Sequence, residues 1–556
     1  MKLLARGIVL PALFSILLLQ LSSFPGFCFT GQVSQELVSP SQYATGMTWD
    51  GKCLWVCDWK DATAFRIDPA RGEVLQSVAL PCTRPEDITY ADKHLFICSG
   101  SQPLIYEMEI ATGVVVKTYP APGAASCALA WDGKYLWLAD RETDTIYKLN
   151  PLDGTILDYF PAPAGDTEGL AWDGKYLWVS DRVRDELYMV SPVDGTVIMV
   201  VSSPGRYPTG LAFDGKFLWN VDYQDDSIYK LKYDDGENVY TTDAVERRMT
   251  FVHSLTGLGP GSITSAGVFL AVPEDSFPGQ KLLEPISFDP KPDRFDRDQW
   301  GQKVAIYEYS GFKPDETREA SYTARALIGV RRFCIFPDKV GRIEDIPAAI
   351  RRTYTADGSR YRITQPLIVE TVKKVVGDEK NPYWIARKLC KWVQDHVEYE
   401  RVGGWDIAET LIKRGTGSCS EYAFLYVALC RAAGLPARYE GSVAIRGDDA
   451  SMDDVFHRWC EVYLPNYGWI PVDPSGGDSP VPSNQGRAFG MLNNRYFVTT
   501  HGGGDSKYLG WDYNYSSRVS FKGNCEVKED VFGLWDSVNP VIETSSEISG
   551  KACKPK

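Results

Sequence analysis

Between residues 31 and 240 the chain alternates short apolar runs with tight polar breaks. Stretches such as Gly169-Leu170-Ala171-Trp172 and Tyr176-Leu177-Trp178-Val179 flank an Asp-Gly pair, the composition of a two-residue hairpin turn. The break recurs as Trp49-Asp50-Gly51-Lys52, Tyr90-Ala91-Asp92-Lys93, Trp131-Asp132-Gly133-Lys134, Trp172-Asp173-Gly174-Lys175 and Phe213-Asp214-Gly215-Lys216, at a constant step of 41 residues. An aromatic column (Phe65, Tyr106, Tyr147, Tyr188, Tyr229) and a glycine column (Gly72, Gly113, Gly154, Gly195, Gly236) keep that step. Two hairpins per unit predict four strands, the content of one propeller blade. Residues 31–38 fall in register with the last strand of a blade, and the fifth unit departs from the pattern after Gly236. The N-terminal strand is therefore expected to complete the fifth blade and close the ring.

This array resembles NHL-like and related short-bladed propellers. Its aromatics are expected to fill the inter-blade core. Asp58, Asp140, Asp181 and Asp222 share a column. A carboxylate ring can bind a cation, but turn and strand-end hydrogen bonding is the plainer expectation. Cys57 and Cys98 also share a column, which fits either an inter-blade disulfide or two buried thiols. No nucleophile and base pair up in this region, so it is expected to bind or to scaffold.

Beyond the repeats the pattern changes twice. Residues 241–355 hold strand-like runs, Ala266–Pro273, Lys303–Tyr309 and Arg325–Val330, around a polar, turn-rich stretch at 289–294, which predicts a small β-sandwich. Residues 356–515 mix periods. Ile385, Leu389, Trp392, Val393 and His396 give Tyr383–Val397 a helical apolar face, and Val455–Leu464 alternates as a strand. Residues 516–556 read as a mixed, polar tail in which Cys525 and Cys553 could pair. The fold class expected is multidomain, mainly β plus α+β.

The candidate chemistry lies in three pieces: Gly415-Thr416-Gly417-Ser418-Cys419-Ser420-Glu421-Tyr422-Ala423, His457-Arg458-Trp459-Cys460-Glu461-Val462, and Gly468-Trp469-Ile470-Pro471-Val472-Asp473-Pro474. Cys419 precedes a helical run, so a helix N-terminus would favour its thiolate and offer free backbone N–H groups to an oxyanion. On the strand, His457, Trp459 and Glu461 share one face, and Arg458, Cys460 and Val462 the other. A tight turn at 466–468 would return Asp473 to His457. Cys, His and Asp can serve as nucleophile, base and orienting carboxylate.

These pieces, continued by Ala428-Leu429-Cys430-Arg431-Ala432-Ala433-Gly434-Leu435-Pro436-Ala437-Arg438, resemble the transglutaminase-like superfamily, whose core is papain-like. The resemblance implies catalytic Cys419, His457 and Asp473 acting through a thioester, with no cofactor and no metal. Water resolving the thioester makes a cysteine peptidase or amidase; an amine makes a protein-crosslinking transglutaminase. A third reading, an inactive binding scaffold, stays open. Cys430 and Cys460 are expected in the core. His501, in a glycine-rich loop, is a rival base or substrate contact, and Tyr399 and Trp405 are candidates for the oxyanion side.

At the N-terminus, Lys2 and Arg6 precede an apolar run from Ile8 to Leu21, which reads as a signal peptide over residues 1–30. The chain is then expected outside the cytoplasm, periplasmic or secreted, or tethered by this segment if it is not cleaved. Export permits disulfides among the 13 cysteines. A net charge of −14 argues against nucleic acid as a partner. A protein or peptide substrate, a cell-wall peptide among the options, a propeller that binds a protein or other ligand, and a monomeric chain complete the expectation.

Overall fold

The computed structural model describes residues 29–234, 236–401, 405–447 and 451–536. The expected leader up to residue 28 and Cys553 lie outside them. Five four-stranded antiparallel sheets follow one another from Ala44 to Lys232. The strand Val33–Val38 pairs with Ser227–Lys232 and supplies the outer strand of the fifth sheet. The inner strand of each sheet neighbours those of the sheets on either side, and Pro208–Phe213 meets Ala44–Trp49, so the ring is closed.

The repeat is written in hydrogen bonds. Asp132 takes two backbone N–H groups of its own turn on Oδ1 and the Trp137 indole N–H on Oδ2 at 2.9 Å. Asp50 with Trp55, Asp173 with Trp178 and Asp214 with Trp219 repeat the bond at 2.8–3.0 Å. The second unit has Ala91 and Phe96 in these two positions, so acceptor and donor are absent together and neither is left buried and unpaired. The Asp58, Asp140, Asp181 and Asp222 column likewise caps turns: Asp181 accepts from Asp166, Val183 and Arg184 N–H, and Asp222 from Tyr207, Gln224 and Asp225 N–H. Cys57 and Cys98 are buried free thiols.

At the ring axis the inner strands pack backbone against backbone. A Cβ on Gly210 would stand 2.5 Å from Met47 N, and one on Gly169 would stand 2.4 Å from Thr209 O. Asp87 occupies the same column and is fully buried. It accepts N–H groups from Met47 and Leu129, in the blades on either side of its own, at 3.1 and 2.7 Å, and from Ile88 at 2.8 Å. Burial holds its carboxyl well above the usual range against these bonds.

Two packed sheets follow. Val239–Leu258, Thr317–Phe333 and Glu526–Asp536 dominate one; Ser262–Ala271, Lys303–Ser310 and Tyr515–Lys522 dominate the other. The segment from 516 is therefore not a tail as far as 536. It supplies a strand to each sheet, pairing along Ser262–Leu270 and Arg248–Leu258. Its strands have one solvated face, which gives them the polar composition that masked the alternation. Cys525, between them, is a free thiol.

The C-terminal α+β unit wraps the helix Cys419–Ala432, buried from Cys419 to Arg431, with the helices Pro366–Val376, Pro382–His396 and Ala408–Arg414 and a sheet. That sheet runs Gly468–Val472, His457–Leu464, Ala437–Ala444, Tyr496–Gly502 in spatial order. The unit docks on the fourth blade. Outer strands of the other blades are mostly exposed, whereas Val197–Val201 is buried. The short helix Pro482–Arg487 lies on it; Ser483 N–H donates to Pro163 O at 2.9 Å, and Arg387 bridges Val197 O and Gln485 O. Among the described residues no helix is long and apolar enough to cross a membrane.

Candidate active site

Cys419 is the first residue of its helix, with Ser418 as N-cap. The approach is pinned by Glu421, fully buried, which accepts Ser418 N–H at 3.0 Å, Asp406 N–H at 3.1 Å and the Arg414 guanidinium at 2.6 Å. Cys419 as a residue is buried, 8% exposed, so bulk water does not surround it. Burial alone would raise its pKa. The hydrogen bond and charge of His457, then the backbone N–H and guanidinium of Arg458, outweigh burial and bring it below the ordinary thiol value.

His457 opens the strand His457–Leu464. Its Nε2 donates to Asp473 Oδ2 at 2.7 Å, which leaves Nδ1 for the thiol. Burial opposes its charge, but Asp473 and then Cys419 hold the imidazole well above its usual pKa. The ring stacks on Tyr496 at 5.1 Å between centroids. Phe456, just before it, has φ = 59°, a conformation a bulky side chain rarely adopts. The turn is held by Asp453, which accepts Phe456 N–H at 3.0 Å, and by Arg446, which donates to Phe456 O at 2.7 Å.

Asp473 follows the strand Gly468–Val472. Its Oδ1 accepts Ser475 Oγ–H at 2.9 Å and Gly476 N–H at 2.8 Å. Gly476 has to be small there, since a Cβ would stand 2.5 Å from Asp473 Oδ2. Burial raises the carboxyl pKa, but the His457 charge and hydrogen bond, then Gly476 and Ser475, keep it below the usual value. Cys419, His457 and Asp473 thus stand in series, each with its pKa shifted in the direction that favours its charged form. That is the charge state needed for nucleophilic attack followed by proton donation.

Cys430 and Cys460 are fully buried, and Cys460 Sγ–H faces Ala423 O at 3.6 Å. His501 is not beside the thiol: it stacks on Phe277 with 4.0 Å between centroids and points Nε2 at Glu440 Oε2, 2.9 Å away. Burial, then Arg438, push its pKa down to about 3, which unsuits it to carry protons at neutral pH. Tyr399 pairs with Gly417 on a short strand, half exposed; burial, then the Cys419 charge, raise its hydroxyl pKa against the charge of His457. Trp405 instead faces Arg458 at 4.9 Å.

Arg458 is the neighbour that motif reading passed over. Fully buried, it stands 4.2–4.9 Å from the ring centres of Tyr513, Tyr439, Phe424 and Trp405 and donates to Trp511 O at 2.7 Å. The signal was a charge on the strand face that otherwise carries Cys460 and Val462.

Residues 369–474 match the Transglutaminase-like superfamily model. An uncharacterized protein of Haemophilus influenzae is 27% identical over 150 residues, covering 22% of this chain and 40% of that protein. A protein-glutamine gamma-glutamyltransferase of Pseudomonas aeruginosa is 25% identical over 185 residues, covering 30% and 26%. The chain thus spans well under half of either relative. Among solved structures, a candidate cysteine protease from Cytophaga hutchinsonii aligns with TM-score 0.38 and 18% identity over 53% of this chain and 92% of that one. Virginiamycin B lyase of Staphylococcus aureus aligns with TM-score 0.26 and 18% identity over 35% and 67%. The chain carries a C-terminal domain of the transglutaminase-like superfamily behind five blade-like four-stranded sheets.

Proposed function

We propose that this protein is an exported thiol hydrolase that cleaves peptide or amide bonds. The carrying observation is the series Cys419, His457, Asp473, in which the thiol is shifted toward thiolate and His457 is bonded to Asp473 at 2.7 Å. The thiolate attacks the carbonyl carbon and a C–S bond forms. The oxyanion meets the free N–H groups of the helix N-terminus. As the C–N bond breaks, imidazolium gives its proton to the departing amine. His457 then takes a proton from water, which opens the thioester and returns the thiolate. Tyr399, at the mouth, is the candidate for contact with the substrate. The ring of blades serves as a binding module, and the chain acts as a monomer on a protein or peptide, a cell-wall peptide included, in the periplasm or medium. The signal-like N-terminus and the net charge of −14 support that setting.

The likeness to a protein-glutamine gamma-glutamyltransferase favours a second reading, in which an amine opens the thioester and crosslinks proteins. The first experiment is the rate of Cys419 alkylation against pH, in wild type and His457→Ala, read by peptide mapping. Fast alkylation well below the ordinary thiol pKa of about 8.5, lost in the variant, is expected. A slow rate independent of His457 would leave only the scaffold reading. Incorporation of a labelled primary amine would favour the transferase.

A further inference from the structure

On the face of the sheet that carries His457, three neighbouring strands bring together Glu440, Glu461 and His501. Glu440 lies opposite His501 across one strand pair, and Arg438 lies opposite Glu461 across the other. One ligand-type atom from each of the three lies within 4.8 Å of the others. Glu440 and Glu461 are 0% and 2% exposed. Arg438 Nε and Nη2 both go to Glu461 Oε2, at 2.7 and 2.6 Å, and Nε makes a longer ion pair of 3.7 Å with Glu440; the Arg331 charge also acts on Glu461. Both oxygens of Glu440 and Nε2 of His501 are buried without a hydrogen-bond partner. Two buried carboxyls this close, with one imidazole beside them, need a proton or a cation held between them.

We infer that Glu440, Glu461 and His501 form a buried site for one divalent transition-metal ion of the zinc class, which ties together the three strands behind His457. Two carboxylate oxygens and an imidazole nitrogen suit such an ion better than calcium or magnesium, which take oxygen ligands. Two ligands each about 2.1 Å from a common ion stand roughly 3.0–3.4 Å apart. The 2.9 Å between Glu440 Oε2 and His501 Nε2 therefore needs only a small opening. The His501 backbone is already fixed, its N–H donating to Gln302 Oε1 at 2.9 Å. The role is structural, since none of the three faces the thiol. The three ligands come from separate strands, so no ligand spacing shows in the sequence.

The test uses the full chain with Cys419 alkylated beforehand, so that the thiol cannot capture zinc. Metal content is measured after growth in zinc-supplemented medium, then melting is followed on chelator-stripped protein with Zn2+ or Mn2+ added back. The expected result is one equivalent of metal, a Tm raised by several degrees on add-back, and loss of both in His501→Gln and Glu440→Gln. The stripped wild type controls for variants that fail to fold. Stripped, folded wild type that takes up neither ion and melts unchanged would overturn the site and assign the pair a shared proton instead. So would full metal retention in both variants. Neither outcome bears on the alkylation of Cys419.

Discussion

Gly486, in the helix beyond Asp473, lies so close to Val197 of the fourth blade that a Cβ would stand 2.7 Å from Val197 Cγ1 and 3.3 Å from its carbonyl oxygen. The segment leaving the candidate site is therefore seated on the ring of blades. Gly486→Ala should cost about 1–3 kcal/mol in urea unfolding. Combined with Val197→Ala, which opens the space, it should show a coupling of at least about 0.5 kcal/mol. Additive losses would mean the contact is not formed in solution.

His457 and Asp473 predict a pH window for stability. The folded pKa of Asp473 is lowered, so its contribution is present above the unfolded value of about 3.9 and is lost as pH falls through the folded one. The folded pKa of His457 is raised, so its contribution is complete below about 6.5 and is lost as pH rises through the folded one. The stability gap between wild type and Asp473→Asn, by urea titration, should be widest between about pH 4 and 6.5. A gap that stays flat from pH 3 to 10 would contradict the ion series.

Arg458 puts a permanent charge in a box of four rings next to the thiol. Arg458→Met should raise the Cys419 titration and slow its alkylation at pH 6. Arg458→Lys should recover most of that rate. If both variants keep their circular dichroism and alkylate like wild type, the guanidinium has only a packing role.

Asp87→Ala removes an acceptor shared by backbone N–H groups of neighbouring blades and leaves them buried without partners. A loss of about 2–4 kcal/mol is expected in urea unfolding. Asp87→Asn keeps one acceptor oxygen, enough for Met47 and Ile88 N–H, but sets an NH2 against Leu129 N–H or the reverse, so it should recover only part of that loss. No loss in either variant would show that these N–H groups find other partners.

The blades and the three site residues were legible because each is fixed by short-range chemistry. An Asp-Gly turn, an indole donor five residues on and a cysteine opening a helix announce themselves locally. What escaped depends on partners distant in sequence. Val197-Ile198-Met199-Val200-Val201 breaks the exposed pattern of its sister strands, yet only the docked domain shows why. Glu440, Glu461 and His501 meet only once strand register is set. The strands at 515–536 looked like a tail because half of each faces solvent.

Closure of the ring by Val33–Val38 also sets a timetable. Ser34 bonds Lys230, 196 residues further along. At synthesis speeds of about 5–20 residues per second, the first strand waits roughly 10–40 s for its mate. Until then the nascent ring has two raw edges, and the long strand Val239–Leu258 starts almost as soon as they can join. The ring can lock once Lys232 is available, whereas the sandwich waits for its strand Glu526–Asp536. Protease resistance should arise first in the ring as a whole, rather than blade by blade, and later in the sandwich.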